Sequence, residues 1–178
     1  EKGFALLAEK GLSFDLQCCP AQMDAAYALC SKHPSVPVCI DHLGKLWKLD
    51  GDGGAADTAK IDAWRAAMKK MASLPQVVVK LSMLGCVVPG WPAGGDKEKL
   101  VKDLVLETIG MFGVERCMFA SNWHINGAVS NSDGPDLASD QDLTMTKKYE
   151  FFSSWVSHMT EDEKEWLFAK SAEKFYRI

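Results

Sequence analysis

The chain has 178 residues, 47% of them hydrophobic, which is enough apolar material for one domain of ordinary size. Its formal net charge is −4 and no cluster of lysine or arginine stands out, so nucleic acid is excluded as a predicted partner. No apolar run reaches the roughly 18 residues that a membrane-spanning helix needs, and no membrane association is predicted.

The cysteines indicate a reduced, cytoplasmic protein. The chain has six cysteines, none of them in C-x-x-C spacing, and several lie inside apolar runs. In such a run a thiol acts as a small hydrophobic side chain. We therefore predict free thiols, not a disulfide framework or a zinc knuckle, and a cytoplasmic location.

The predicted elements begin with an amphipathic helix, in which Phe4 and Leu7 share a face and Gly11 provides the terminating glycine. Four short segments rich in apolar or β-branched residues then read as strands. They do not alternate strictly between apolar and polar residues, which indicates strands covered on both faces. The four predicted strands are residues 12–18, 36–42, 76–82 and 116–122.

Helices are predicted between and after these strands, from apolar side chains at helical spacing. Asp57 and Asp96 are expected to cap two of the helices, and the sequence TEDE at residues 160–163 predicts a capping box that opens the last one. The apolar stripes contain Met23, Tyr27 and Cys30, then Ile61, Trp64, Met68 and Met71, then Leu100, Leu104 and Phe112, and finally Phe152, Trp155 and Met159.

Strands that alternate with helices in this way predict a parallel sheet with right-handed crossovers. Ligands of such sheets bind at the carboxyl ends of the strands. We therefore expect the functional site where the polar residues follow the strands. These residues are Gln17 and Cys19, Asp41 and His42, Lys80 and Ser82, and Asn122 and His124.

The strand-end sequences LSFDLQCCPAQM, VPVCIDHLGKL, WRAAMKKMASLPQVVVKLSMLG and ERCMFASNWHI, with the ending AEKFYRI, resemble the amidohydrolase-related family. The most specific parts are DHLGK and FASNW. Within the family the chain is most similar to the lactonase-like branch of metal-dependent hydrolases. The resemblance implies an α/β fold that is the C-terminal half of a (β/α)₈ TIM barrel, with residues 1–178 as one partial domain holding strands five to eight.

The resemblance implies a divalent metal such as zinc in complete members of the family, where the first strand brings a paired H-x-H motif. The histidines of this chain are isolated, at His33, His42, His124 and His158. A catalytic zinc needs three protein ligands and a water. His42, in DHLG, is the candidate metal ligand or substrate contact, and we predict no metal held by this chain alone.

Asn122 occupies the position where the family commonly has an aspartate that acts as metal ligand and general base. An amide cannot accept a proton at neutral pH, although it can orient a water or a substrate oxygen. The candidate catalytic residues are therefore Asn122, His42 and His124. The candidate substrate-binding residues are Lys80, Ser82, Gln17 and Trp123. For Lys80 an alternative stays open, a polar network with Asp15.

Strand alternation places Met118, Ala120 and Asn122 on one face, and Val38, Ile40 and His42 on one face of a neighbouring strand. We expect these two faces to be the same, so that Asn122 points into the strand-end pocket beside His42. Residues 125–142, which have turn chemistry and no periodicity, are interpreted as a lid over that pocket or as a flexible loop.

Two functions are consistent with these features. One is hydrolysis of a lactone or similar cyclic ester, a small-molecule substrate, by attack of water on the carbonyl. The other is a non-catalytic half-barrel with a binding role or no activity. In either case four parallel strands leave two open edges and an apolar inner face, which predicts that the chain self-associates or is only marginally folded.

Overall fold

The computed structural model describes residues 1–122 and 143–178 and confirms the predicted α/β class. Four parallel strands form one sheet in the order β1-β2-β3-β4, with helices between consecutive strands. No helix of the described residues is long and apolar enough to cross a membrane. The strands are β1 (Phe14–Leu16), β2 (Val38–Ile40), β3 (Val77–Leu81) and β4 (Cys117–Phe119).

Eight α-helical segments occur in the described part of the chain, and the last two are joined by a π-helical turn at Trp166–Lys170. The helices are α1 (Lys2–Glu9), α2 (Met23–Lys32), α3 (Ala55–Ala72), α4 (Leu84–Val87), α5 (Gly95–Phe112), α6 (Met145–Trp155), α7 (Glu161–Glu165) and α8 (Ser171–Tyr176).

Two of the predicted helix ends are confirmed. Gly11, at φ 63°, ends α1, and the N–H of Leu12 donates to the carbonyl of Leu7 at 2.8 Å. The capping box before α7 is also present, since Thr160 accepts from the backbone N–H of Glu163 and the Glu163 carboxylate accepts in return.

The prediction that Asp57 and Asp96 cap helices is wrong, because α3 begins after Gly54 and α5 after Gly94. Asp57 instead binds backbone N–H groups of the preceding loop. Its side chain is buried, and its carboxylate accepts the backbone N–H groups of Asp50 and Gly51 at 3.0 and 2.8 Å. It thereby satisfies two donors of the loop that leads into α3.

The larger core lies between one face of the sheet, called here the helix face, and helices α2, α3, α5 and α6. The register pairs Val38 with Val77 and Val79 with Cys117, so these side chains share the helix face. Trp64 of α3 and Trp155 of α6 are almost fully buried against it. Burial of this apolar surface is the main favourable contribution to folding.

The opposite face, called here the inner face, carries Asp15, Cys39, Val78, Lys80 and Met118, as the register requires. This face was expected to be open, and that expectation is wrong. A second, smaller cluster covers it, because the carboxyl-terminal helix α8 turns back against the strands. The cluster contains Cys39, Met118 and Phe175, with Val78, Ala172 and Tyr176 packed around them.

The two outer strands β1 and β4 remain the edges of the sheet. Because an edge strand presents backbone N–H and C=O groups that can pair with another strand, we expect the chain to self-associate. Light scattering after size-exclusion chromatography checks this. Ser13→Lys, beside β1, should weaken the association, because a charged side chain disfavours edge pairing.

The matched control is Ser153→Lys on the exposed side of α6, which should change nothing. A single monomeric species at every concentration, with cooperative melting and no binding of a dye for apolar surface, would contradict the expected association.

Candidate functional site

A cavity of about 450 Å³ lies at the carboxyl ends of the strands. The candidate catalytic and substrate-binding residues that the structure describes line this cavity, whereas Cys19, also expected at this end of the sheet, is not among the lining residues. This placement does not test their roles. Trp123 and His124 lie outside the described residues, as does the segment 125–142. The lining residues are Gln17, Asp41, His42, Lys80, Ser82, Ala120, Ser121 and Asn122.

His42 reaches this cavity by a route that strand alternation does not predict. Val38 and Ile40 belong to the helix-face core, whereas Met118 lies in the inner-face cluster, so the expected common face is wrong. The backbone changes direction after β2, because His42 and Leu43 adopt left-handed conformations at φ 57° and 52°. The reversal turns the imidazole toward the cavity.

The turn after β2 is held by close packing beneath it. The Leu43 side chain is fully buried, and the Leu43 carbonyl accepts the indole N–H of Trp64 at 2.8 Å. Gly44 has φ 69°, and a Cβ at this position would lie 2.6 Å from the sulfur of Met68. The sequence DHLG therefore encodes a left-handed turn that only glycine fits at its last position.

His42 and Ser82 connect two neighbouring strand ends. The imidazole Nδ1 lies 3.0 Å from the Ser82 hydroxyl oxygen, and Ser82 is buried. When Nδ1–H donates to that hydroxyl, the other ring nitrogen carries a lone pair and is a proton acceptor. This contact fixes the orientation of the ring at the cavity wall.

Asn122 lines the cavity after the end of β4, and its backbone is also left-handed, at φ 53°. Asparagine tolerates this conformation better than most residues.

The carbonyl of Ser121, the residue before Asn122, accepts from the ammonium of Lys148 at 3.2 Å. Lys148 is a buried residue of α6 that sequence reasoning missed. The available signal was its position on the same helical stripe as Phe152 and Trp155.

Lys80 forms the polar network that was the alternative to substrate binding. Its ammonium donates to Asp15 at 2.6 Å and to Asp41 at 2.9 Å. The hydroxyl of Tyr176, from α8, donates to the same Asp15 oxygen at 2.6 Å, and its ring lies 5.3 Å from the Lys80 nitrogen. The network joins three strands to the carboxyl-terminal helix.

The network also sets the protonation of its members. Burial acts to lower the pKa of Lys80, but hydrogen bonds with Asp15, Tyr176 and Asp41 outweigh it and raise that pKa. Burial and the bond to Asp15 raise the pKa of Tyr176. Lys80 is therefore a permanent cation at neutral pH, and Tyr176 a permanent hydrogen-bond donor.

The described residues do not fit a metal held by this chain alone. The group of three possible ligands found among them is Asp15, Cys39 and Asp41, whose ligand atoms lie within 4.8 Å of one another. The Lys80 ammonium already bridges the two carboxylates. Burial raises the pKa of Cys39 to about 12, so the thiol stays protonated. His42 is outside this group, and its metal role stays a prediction.

The cysteines are free thiols, as the sequence predicts. A parallel sheet with a polar cavity at the carboxyl ends of its strands is the arrangement of (β/α)₈-barrel enzymes. A model of the amidohydrolase family matches residues 1–178, and the chain belongs to that family.

Comparisons with individual proteins also indicate the amidohydrolase family. An uncharacterized protein of Sinorhizobium fredii, y4mH, is 30% identical over 177 residues, 99% of this chain and 51% of that protein. The L-fucono-1,5-lactonase of Burkholderia multivorans is 32% identical over 128 residues, 70% of this chain and 41% of the lactonase.

A crystal structure of an amidohydrolase from Burkholderia multivorans with bound zinc is 24% identical, with a TM-score of 0.77. That match covers 99% of this chain and 56% of the amidohydrolase, which supports the half-barrel fold. The chain therefore spans about half the length of the relatives that it matches.

The turn at Gly44 gives a first prediction for the site. Gly44→Ala should lower the free energy of unfolding by about 1 kcal/mol through the left-handed backbone. It should lower it by roughly another 1–3 kcal/mol through overpacking against Met68. The matched control is Gly53→Ala, which has φ 72° and open space around it, so that only the backbone effect remains. Urea denaturation of both variants measures the difference, and equal losses would refute the packing argument.

A second prediction concerns metal. Chain purified without added metal should contain well under one equivalent of zinc or manganese, because the described residues offer one cavity histidine, and Lys80 already bridges the two carboxylates of the group Asp15, Cys39 and Asp41. Elemental analysis by mass spectrometry measures the content. A stoichiometric metal that is lost in His42→Ala, but retained in His158→Ala, would overturn this prediction.

Proposed function

We propose that the chain carries one half of the active site of a hydrolase that opens a lactone or similar cyclic ester. The observation that carries the proposal is the meeting of His42, Ser82, Asn122 and Lys80 in one strand-end cavity. Membership of the amidohydrolase family and the similarity to an L-fucono-1,5-lactonase support a sugar lactone as the substrate class.

In the proposed reaction, water adds to the lactone carbonyl, the ring C–O bond breaks, and the alkoxide takes up a proton to give a hydroxy acid. Two side chains among the described lining residues can accept a proton, those of Asp41 and His42. Asp41 already accepts from Lys80, so His42 is the better candidate to take the proton from water. Its contact with Ser82 holds the ring in place for that step.

Asn122 has a second role in this proposal. Its amide can orient the attacking water or donate to the carbonyl oxygen of the substrate, but it cannot remove a proton. General-base catalysis typically contributes about 10²–10⁴-fold to a rate. Hydrolysis by a site with an amide at this position is therefore slow unless His42 or another base, such as His124, takes the proton.

Asn122→Asp tests the assignment. In a protein with the other half of the barrel restored, the variant should raise the rate of L-fucono-1,5-lactone hydrolysis, above the spontaneous rate, by roughly tenfold or more, because a carboxylate adds a proton acceptor beside the water. Folding should change little, since the two side chains are similar in size and both tolerate left-handed φ. A pH-indicator assay follows the acid that is released.

The matched control is Gln17→Glu, which adds a carboxylate to the same cavity at another strand end. It should not raise the rate. Loss of a clear parental activity in Asn122→Asp would show that the amide itself is the working group, as a donor to the substrate carbonyl. No activity in any of the three proteins would favour the alternative, a half-barrel with a binding role only.

A further inference from the structure

The cation at the floor of the cavity is already neutralised. Lys80 is the only lysine or arginine among the described lining residues. Its ammonium lies 2.6 Å from an Asp15 oxygen and 2.9 Å from an Asp41 oxygen. Asp41 lines the cavity, whereas Asp15 is not among its lining residues. These three described side chains therefore carry one more negative charge than positive charge.

The geometry leaves this ammonium poorly suited to bind a ligand carboxylate. Lys80 is about three-quarters buried, with 23% of its side chain exposed, and it is packed beneath the Tyr176 ring. An ammonium has three donor hydrogens, and two of them are directed at the two aspartates. An approaching anion would have to displace one of these contacts and would meet the excess negative charge.

We propose that Asp15 and Asp41 determine specificity, because by holding Lys80 they make the cavity select neutral, hydroxylated rings over rings that carry a carboxylate. This inference rests on the proposed lactone hydrolysis. Gln17, Ser82 and Asn122 provide neutral donors and acceptors for hydroxyl groups around the same cavity. The opened product carries a carboxylate, so the same arrangement promotes its release.

The test compares two probes that are not hydrolysed. One is the δ-lactam analogue of the fucose lactone, which is neutral, and the other is L-fuconate, the anionic product. Calorimetric titration of the unaltered chain should give a dissociation constant for L-fuconate at least tenfold higher than for the lactam. This comparison needs no variant. An equal or tighter affinity for L-fuconate would overturn the inference.

Asp15→Asn then removes one carboxylate without changing the shape of the side chain or its ability to accept from Tyr176. L-Fuconate should then bind roughly tenfold more tightly, because the variant removes the repulsion between one carboxylate and the anionic ligand in a partly buried site. The lactam affinity should stay within about twofold. The melting temperature shows that the variant is folded.

The matched control is Asp103→Asn, which makes the same change of charge in the exposed Lys99–Asp103 pair, also 2.6 Å long. It should leave both affinities unchanged, because exposed charges are screened. An unchanged L-fuconate affinity in folded Asp15→Asn, with normal lactam binding, would overturn this inference and leave the proposed function standing. Failure of the unaltered chain to bind either probe would overturn both.

Discussion

The ion network of Lys80 is the interaction on which the arrangement of this half-barrel depends. One ammonium joins Asp15 of β1 to Asp41, the residue after β2, and lies itself on β3. Tyr176 adds the carboxyl-terminal helix through its bond to Asp15. Because Lys80 is about three-quarters buried and a charge in such a place is costly without a partner, the positions of these four elements are coupled.

The same network sets the electrostatics of the cavity above it. A lysine in a strand-end pocket usually suggests a site for an anion, but here two carboxylates satisfy that charge from below. The Lys80 ammonium in turn lies between the two carboxylates that a divalent ion would otherwise use as oxygen ligands. Apart from the paired Lys80 and Asp41, the described lining residues offer a ligand neutral donors and acceptors and the imidazole of His42.

Backbone conformation aims the reactive side chains. His42 and Asn122 both follow a short strand, and both take positive φ. At His42 the side chain lies opposite to the direction that simple alternation would give it, whereas Asn122 lines the cavity from the face that alternation predicts. Such conformations cost on the order of 1 kcal/mol each and persist only where the surrounding structure requires them. At His42 that requirement comes from the buried Leu43 and the close approach of Gly44 to Met68. The strain lies at the site itself.

The inner face of the four described strands is covered by the carboxyl-terminal helix. In a complete (β/α)₈ barrel, side chains from all eight strands fill the interior. Here Phe175 and Tyr176 of α8 cover Cys39, Val78 and Met118 instead. The apolar surface of the inner face is buried in this way, and only the backbone edges of β1 and β4 lack strand partners in the described sheet.

The sequence by itself determined the class of fold, the order and approximate position of the four strands, and the group of polar residues at their ends. It could do so because apolar runs, helical spacing and the sequences DHLGK and FASNW are local signals. The tertiary structure alone decided the direction of His42, the pairing of Lys80 with both aspartates, and the placement of α8 on the inner face. These depend on left-handed turns and on contacts such as Asp15 with Tyr176, 161 positions apart in the chain, which no local pattern encodes.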